Sequence, residues 1–185
     1  MIADALAGQR VGVTGGTGFL GTALVERLLR CVPDCEVVVL IRPGRRTTAA
    51  ERVTREILRN NCFSRLRSEL GPRFDAEIER RLVVAAGDVG VDGLGLDEAG
   101  RSALAACDVV IHSAAAVSFD APLDTTVEVN LLGPSRVAET LNDIRSNVGD
   151  RNRLPHLVAV STAYVAGTRR GDAHETLLPD TPFAA

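Results

Sequence analysis

One stretch decides the fold of this chain, and it reads Arg10-Val-Gly-Val-Thr-Gly-Gly-Thr-Gly-Phe-Leu-Gly21. It begins as a short apolar strand and ends in a turn that contains Gly15, Gly18 and Gly21. Glycines in such a turn permit a tight bend, close approach of the backbone to a phosphate, and close packing of the next helix on the strand. Because that helix would point free N–H groups and its positive dipole end at the turn, the stretch predicts a site for the diphosphate of a dinucleotide.

Outward from this stretch, short apolar segments alternate with longer segments of helical period. The predicted strands are Arg10–Thr14, Glu36–Ile41, Leu82–Ala86, 107–111 and 157–160. The predicted helices are 18–30, 49–61, 75–81 and 123–147. Strands that alternate with helices in this way are typical of an α/β fold with a Rossmann-type doubly wound parallel sheet, for which we expect the strand order 3-2-1-4-5.

Length and composition limit the classes of protein that the chain can belong to. It has 185 residues, 45% of them hydrophobic and 24% charged, so we predict a single domain over residues 1–185. The net charge of −3 argues against binding to nucleic acid or to a membrane surface. The sequence contains no apolar run near the roughly 18 residues of a membrane span, and no secretory signal is recognised. Four cysteines are too few for a disulfide framework, and no metal site is predicted, so a reducing cytoplasm is the expected compartment.

The residue after the second strand distinguishes NAD from NADP in folds of this type. An acid at this position accepts the 2′-hydroxyl of NAD, whereas an arginine accommodates the 2′-phosphate of NADP. Here Arg42 follows the strand, and the first acid after it is Glu51. Because planar guanidinium groups bind phosphate through paired hydrogen bonds, the sequence predicts NADPH as the cofactor. Arg42 is the main candidate contact, and the arginines that would assist it are Arg45, Arg46 and Arg52.

Segment 44–81 is longer than the usual connection between the second and third strands, and it holds ten arginines and six acids. We predict a pair of surface helices linked by ion pairs, with Phe63, Leu66, Leu70 and Phe74 packed between them. A second interpretation is that some of these arginines face an anionic ligand.

Two further turns at the expected carboxyl edge of the sheet supply candidate cofactor contacts. Asp88 is predicted to accept a hydrogen bond from the adenine amino group, with capping of its own turn as the alternative. Small residues after the fourth strand allow the backbone to run close under the nicotinamide ribose. His112 is expected to be a packed strand-end residue, and Asn130 is expected to bond to the fourth-strand backbone. The candidate cofactor-binding residues are Gly15, Thr17, Gly18, Phe19, Leu20, Gly21, Arg42, Arg52, Asp88, Val89, Ser113, Ala114 and Ala115.

Ser161 and Thr162 follow the fifth strand, at the sheet edge where open α/β folds bind ligands. A hydroxyl at this edge would stabilise the negative charge that develops on a carbonyl oxygen during hydride transfer. These two residues are the candidate catalytic residues, and the sequence does not decide between them. Tyr164 is interpreted as structural or substrate-facing, because all 21 basic residues are arginines and position 168 is a threonine.

With these motifs the sequence resembles the extended short-chain dehydrogenase/reductase superfamily. Within it, the sequence is similar to the NAD(P)-binding domain of fatty acyl-CoA reductases, the male sterility family, and to the thioester-reductase modules of peptide synthetases. The most specific motifs are Phe63-Ser-Arg-Leu66, His112-Ser-Ala-Ala-Ala-Val-Ser-Phe119 and Ser161-Thr-Ala-Tyr-Val165. The remaining motifs are Thr14–Gly21, 40–42, 87–88, 122–124 and 129–133.

The resemblance implies NADPH-dependent reduction of a fatty acyl thioester, on coenzyme A or on an acyl carrier protein, to an aldehyde or alcohol. It also implies a serine or threonine that polarises the carbonyl and a Tyr-x-x-x-Lys pair as proton source. The chain departs from the family because it contains no lysine. A nucleotide-binding sheet also normally continues beyond its last predicted strand, so we expect the N-terminal portion of a longer domain, which binds cofactor with little or no turnover.

Two other interpretations stay open at this stage. The chain can be a non-catalytic NADP-binding module or a truncated pseudoenzyme, as the missing lysine suggests. It can also belong to another extended reductase, acting on a nucleotide sugar or a sterol. An acid after the second strand would favour some of those enzymes, and none is present there.

Overall fold

A computed structural model describes residues 1–118, 120–148, 155–162, 167 and 170–176 of the chain. Its centre is a parallel sheet of five strands in the order β3-β2-β1-β4-β5, as predicted. The strands are β1 Arg10–Thr14, β2 Glu36–Ile41, β3 Leu82–Ala86, β4 Val109–His112 and β5 His156–Ala159. The order reverses between β1 and β4, which is the position where folds of this kind bind their ligands.

The register of the sheet brings the ends of its central strands together. Thr14 at the end of β1 pairs with Leu40 on one side and with His112 on the other. The fourth strand starts two residues later than predicted, because the backbone N–H of Cys107 still bonds to the preceding helical turn and Asp108 binds the start of β1. The fifth strand is displaced by one residue toward the N-terminus.

The helices are α1 Ile2–Ala5, α2 Phe19–Cys31, α3 Ala49–Arg52, α4 Ser64–Leu70, α5 Phe74–Arg81, α6 Glu98–Ala105, α7 Leu123–Thr126 and α8 Leu132–Val148. Three of the predicted helices correspond to α2, to α5, and to the region of α7 and α8. Helix α6 is missing from the prediction, although Asp97 marks its start by accepting a hydrogen bond from the Gly100 N–H at 2.7 Å. Helix α4 is also missing from the prediction, which gives Leu66 and Leu70 of this segment a role in packing but no helix of their own.

Two predicted helices are divided by π-helical turns, Val53–Leu58 after α3 and Val127–Leu131 after α7. The π-helical turn Val127–Leu131 leads into the first turn of α8, which contains Pro134. Proline lacks the N–H that would continue an α-helical hydrogen bond, so a new helix begins around it. The π-helical turn Val53–Leu58 ends before Asn60. The Asn60 side chain accepts a hydrogen bond from the Cys62 N–H and so caps the 3-10 turn Asn61–Phe63.

The core lies on both faces of the sheet, because successive residues of a strand point to opposite sides. In β2, Val37, Val39 and Ile41 face α2 and segment 49–74, whereas Val38 and Leu40 face α6 and α8. All five are 5% exposed or less. The predicted packing of the long connection is confirmed for its buried residues, which are Phe63, Leu66 and Phe74. Leu70 is partly buried against the same cluster. The connection is therefore built into the core layer that supports the glycine-rich turn.

Candidate dinucleotide-binding site

A cleft of about 320 Å3 opens at the carboxyl edge of the sheet, around the ends of β1, β2, β3 and β4. Ten of the residues predicted to bind cofactor line it: Gly15, Thr17, Gly18, Arg42, Arg52, Asp88, Val89, Ser113, Ala114 and Ala115. The residues that sequence reasoning missed are Gly16, Leu40, Ile41, Gly87, Ala116, Thr125 and Val129. Four of these seven adjoin a predicted contact along the chain, whereas Thr125 and Val129 reach the cleft from α7 and the π-helical turn that follows it.

Two of the glycines in the turn are required by the surrounding backbone. Gly15 has a φ of 72°, and a Cβ atom on it would lie 2.7 Å from the backbone N of Ala114. A Cβ atom on Gly21 would overlap the carbonyl oxygen of Gly15. The turn is therefore held in its shape by direct backbone packing against α2 and the residues that follow β4, which leaves no room for a side chain at Gly15 or Gly21.

The start of α2 leaves the turn open to a ligand. Gly18 is its N-cap, and no side chain of the described residues caps it. Thr22 holds the helix to the turn instead, since its hydroxyl donates to the Gly16 carbonyl at 2.9 Å and its N–H to the Gly18 carbonyl at 2.9 Å. Uncapped N–H groups at a helix start attract an anion. The open cradle and these donors fit the diphosphate of a dinucleotide.

A buried hydrogen-bond network joins the turn to the end of β4. The hydroxyl oxygen of Thr14 accepts from the N–H groups of Ser113 and Ala114, each at 3.2 Å, and lies 2.8 Å from Nδ1 of His112. With both lone pairs engaged, the hydroxyl donates its own proton to Nδ1, which places the ring proton on Nε2. Nε2 is buried without a hydrogen-bond partner among the described residues. His112 thus is the packed strand-end residue that was predicted, only 2% exposed.

Burial lowers the pKa of His112 below its usual value. The unfolded chain therefore binds a proton more readily than the folded one as pH falls below about 6.5, so the free energy of unfolding decreases there. We expect urea unfolding at pH 7, 6 and 5 to show a steeper loss of stability for the wild type than for His112→Gln. The difference in slope is at most about 1.4 kcal/mol per pH unit. Parallel curves for the two proteins would contradict this assignment of a neutral, buried imidazole.

The Arg42 and Asp88 side chains face each other at the β2 and β3 side of the cleft. The Arg42 guanidinium is 67% exposed, and its Nη1 lies 3.7 Å from Oδ2 of Asp88. The other carboxylate oxygen of Asp88 accepts from the Gly90 N–H at 2.9 Å, so this acid does cap its own turn. The cap uses only Oδ1, so capping of the turn is compatible with acceptance from an adenine amino group through Oδ2.

The arginines of segment 44–81 have different surroundings, which include surface ion pairs, the cleft and the protein interior. Arg65 pairs with Glu69 at 2.8 Å and Arg80 with Glu77 at 2.9 Å, as predicted for solvated helices. Arg52 instead lines the cleft, so the first interpretation holds for these surface pairs and the second, an arginine facing an anionic ligand, stays a prediction for Arg52.

Five predicted site residues lie outside the lining of the cleft: Phe19, Leu20, Gly21, Ser161 and Thr162. Phe19 is 99% exposed, and Gly21 is buried behind the turn. Ser161 and Thr162 are exposed just beyond β5, next to the end of β4, since the Val160 N–H donates to the His112 carbonyl at 2.9 Å. Tyr164 is outside the described residues, so its interpretation stays a prediction.

Asn130 makes a structural contact with the backbone, as predicted, but its partner Ala116 follows β4 and is not part of the strand. Its side-chain N donates to the Ala116 carbonyl at 2.9 Å, and its oxygen accepts from the Ala116 N–H at 2.8 Å. This paired bond holds the small residues after β4 at the cleft.

Among the described residues, no cluster of three or more His, Cys, Asp or Glu is arranged to hold a metal ion, and no helix is long and apolar enough to cross a membrane.

A central strand, a glycine-rich turn and an uncapped helix start at the switch point of a doubly wound sheet define a Rossmann-type dinucleotide-binding domain. A family model described as "Male sterility protein" matches residues 13–182. The chain belongs to this family of NAD-binding domains, which makes a nicotinamide dinucleotide the class of its cofactor.

The relatives that match are fatty acyl-CoA reductases. The chain is 34% identical to a putative fatty acyl-CoA reductase of Drosophila melanogaster, over 89% of the chain and 30% of that protein. It is 30% identical to the alcohol-forming fatty acyl-CoA reductase of Simmondsia chinensis, over 92% of the chain and 34% of that enzyme. The chain thus spans about a third of the length of these relatives.

Solved structures with a similar fold include reductase domains of biosynthetic assembly lines. The terminal R domain of the myxalamid PKS-NRPS pathway has a TM-score of 0.62 and 29% identity, covering 90% of the chain and 38% of that domain. The R domain of a nonribosomal peptide synthetase from Mycobacterium tuberculosis has a TM-score of 0.59 and 27% identity, covering 86% and 34%. The predicted family resemblance is confirmed.

Proposed function

We propose that this chain is the NADPH-binding portion of a reductase that converts a fatty acyl thioester, on coenzyme A or on a carrier protein, to an aldehyde or alcohol. The observation that carries the choice of cofactor is the Arg42 guanidinium, which lines the cleft at the end of β2 where an NAD-binding domain of this fold would have an acid. Family membership and the reductase relatives support the thioester substrate.

Different parts of the cleft would hold different parts of the dinucleotide. The turn at Gly15 and Gly18 and the start of α2 would bind the diphosphate through backbone N–H groups. Arg42 would bind the 2′-phosphate with paired hydrogen bonds, and Asp88 would accept from the adenine amino group. Segment 113–115 would support the nicotinamide ribose; Thr14 holds it directly, and Asn130 holds the adjoining Ala116.

The nicotinamide supplies the hydride for reduction when the cofactor is bound. The chain's own contribution at this end is a hydroxyl beyond β5, from Ser161 or Thr162, that donates a hydrogen bond to the carbonyl oxygen as it gains negative charge. Both residues lie beside the end of β4, because the N–H of the preceding residue, Val160, donates to the His112 carbonyl. Their donation would orient the thioester carbonyl toward the nicotinamide side of the cleft.

The chain itself lacks a lysine that would complete a Tyr-x-x-x-Lys proton source. A lysine in that pair helps to deliver a proton to the product oxygen in the reductases it resembles. We therefore expect this chain to bind cofactor without consuming it. Incubation with NADPH and a fatty acyl-CoA should leave the NADPH absorbance unchanged, and steady oxidation that depends on acyl-CoA would show that the proton source lies within these residues.

Arg42→Glu tests the cofactor assignment directly. Loss of a charge-assisted contact to phosphate costs about 1.5–3 kcal/mol, so the Kd for NADPH should rise roughly tenfold to a hundredfold. The Kd for NADH should rise less than about threefold, since NADH lacks the 2′-phosphate and a carboxylate at this position can accept its 2′-hydroxyl. Isothermal titration of both nucleotides into both proteins measures the change in preference.

Arg73→Glu is the matched control, because it makes the same change of charge at an exposed residue that does not line the cleft. It should leave the ratio of the two Kd values unchanged. Tighter binding of NADH than of NADPH by the wild type would overturn the proposed cofactor.

A further inference from the structure

Arg52 divides its hydrogen bonds between an acid on its own helix and the backbone of Arg42. Its Nε and Nη2 donate to the two carboxylate oxygens of Glu56, at 3.0 and 2.6 Å. Its Nη1 donates to the carbonyl oxygen of Arg42 at 2.6 Å. A bidentate ion pair with Glu56 thus holds the guanidinium on one side, and the guanidinium in turn holds Arg42, the residue that follows β2.

The helix that carries this pair is firmly anchored. Thr48 and Glu51 form a capping box at its start. Val53 and Ile57, on its inner side, are 3% and 0% exposed, and a Cβ atom on Gly16 would lie 3.4 Å from the Ile57 side chain. The helix therefore packs under the glycine-rich turn itself. An ion pair fixed to such a helix has a defined position relative to the cleft.

The Glu56 carboxylate is ionised throughout the physiological range. Hydrogen bonding from Arg52 is the largest cause that lowers its pKa, to about 2, and Arg55 adds a second donor at 2.7 Å. The ion pair with Arg52 is partly buried, with side chains 21% and 26% exposed. Such a pair is less screened by salt than a fully exposed one.

Arg42, in contrast, has little to orient it. Its side chain is 67% exposed, and its contact with Asp88 is long, at 3.7 Å. The loop that follows it is closed by a hydrogen bond from the Gly44 N–H to the Thr47 carbonyl at 2.8 Å. The bond from Arg52 to the Arg42 carbonyl ties the root of this side chain to the anchored helix.

We propose that Glu56 is a positioning residue for cofactor selection: through Arg52 it fixes the Arg42 backbone, so that the Arg42 guanidinium faces the 2′-phosphate of the dinucleotide. Arg52 then acts on the phosphate through Arg42, although it lines the cleft. This inference rests on the proposed preference for NADPH. It assigns a role in selecting the nucleotide to Glu56, which lies 14 positions after Arg42, the residue proposed to contact the 2′-phosphate.

Glu56→Gln tests the inference, because the amide has one acceptor oxygen in place of two and turns an N–H group toward Arg52. We expect the Kd for NADPH to rise about fivefold to tenfold, and the Kd for NADH to change less than about twofold. Glu69→Gln is the matched control, since Glu69 forms the same i,i+4 pair with Arg65 away from the cleft. Arg52→Lys, which keeps the charge but not the planar fork, should reproduce the effect of Glu56→Gln.

A double variant separates positioning from a general loss of structure. In the Arg42→Glu background, Glu56→Gln should have no further effect on the ratio of the two Kd values, because the side chain that it positions is gone. If Glu56→Gln and Glu69→Gln, each with Arg42 intact, have the same ratio of the Kd for NADPH to the Kd for NADH, the inference is overturned. The proposed cofactor would not be affected by that result. Tighter NADPH binding by Glu56→Gln would also overturn it, because Arg52 would then be a phosphate ligand that Glu56 withholds. Preference of the wild type for NADH would instead reject the proposed function, and the inference with it.

Discussion

Gly21→Ala is expected to cost this domain both stability and dinucleotide binding. The added methyl group would overlap the Gly15 carbonyl oxygen, and its next neighbours are also backbone atoms of the turn, which cannot rotate away. Overpacking of this kind costs about 3 kcal/mol at the upper end of its usual range. Relief of the overlap requires that α2 move away from the turn, so its N–H groups would no longer face the diphosphate.

Two measurements follow from this overlap. Urea unfolding should show a free energy of unfolding lower by about 3 kcal/mol. The Kd values for NADPH and NADH should both rise, by up to roughly a hundredfold, because the diphosphate is common to them. The loss of both nucleotides distinguishes this variant from Arg42→Glu, which should affect NADPH alone.

Gly133→Ala is the matched control for the glycine variant. A Cβ atom on Gly133, in the first turn of α8, would meet its neighbours at 3.7 Å, an ordinary contact distance. Alanine is also the better helix former, by at most about 1 kcal/mol, so stability should be unchanged or slightly higher. Normal binding of NADPH by Gly21→Ala would show that the turn does not depend on close packing of α2.

Arg81→Met is expected to produce the largest loss of stability without touching the cleft. Arg81 is 7% exposed, has no acid partner in the described residues, and donates to four backbone carbonyls instead. These are Leu28, Leu29 and Val32 at the end of α2, and Cys35 at the start of β2, at 2.7 to 3.4 Å. Methionine fills similar space but removes the guanidinium donor from these carbonyls, of which, in the described part of the chain, only that of Leu28 is also shown to accept the Val32 N–H, at 3.1 Å. Each unsatisfied buried group costs about 1–3 kcal/mol, so we expect a total of about 3–5 kcal/mol after partial rearrangement.

The neighbouring residue supplies the control for this variant. Arg80 carries the same charge but is 52% exposed, and it pairs on the surface with Glu77 and Asp34. Arg80→Met should cost less than about 1 kcal/mol, as surface ion pairs usually do. Equal unfolding free energies for the two variants would mean that water replaces the Arg81 guanidinium at the end of α2.

The contact of Arg81 with the end of α2 also matters for the cleft. Arg81 ends α5 and holds the carboxyl end of α2, whose opposite end begins at the glycine-rich turn. The long connection between β2 and β3 thus supports the dinucleotide site twice, at α2 through Arg81 and at β2 through Arg52. Both contacts are made by guanidinium groups to backbone carbonyls, which is a use of arginine that a count of charges does not show.

Several features of the site could be predicted because they depend on local spacing. The glycines of residues 15–21 and the apolar strand before them fix a strand–turn–helix unit, and alternating elements allow few sheet orders. The position of Arg42 follows from the end of β2, and that of Ser113 from the end of β4. Residues after adjacent parallel strands meet at one edge, so ten predicted contacts line one cleft.

Other features could not be predicted, because they depend on which atom a side chain meets. Arg52 and Arg65 each have an acid four residues later, yet one lies in the cleft and the other on the surface. The orphaned ring nitrogen of His112 and the four carbonyls around Arg81 likewise involve partners distant in the chain. Helix α6 was missed, although Asp97 supplied its N-cap signal, because its apolar residues are few.

The sequence by itself determined the class of fold, the strand order and the turn that would receive a diphosphate, since each depends on residues near one another in the chain. Only the tertiary structure decided which arginines of segment 44–81 reach the cleft, as Arg52 does, which are buried, as Arg81 is, and which remain in water, as Arg65 does. The physical reason is that helix packing under Gly16 sets the direction of each side chain, and a spacing of four residues is the same on every face of a helix.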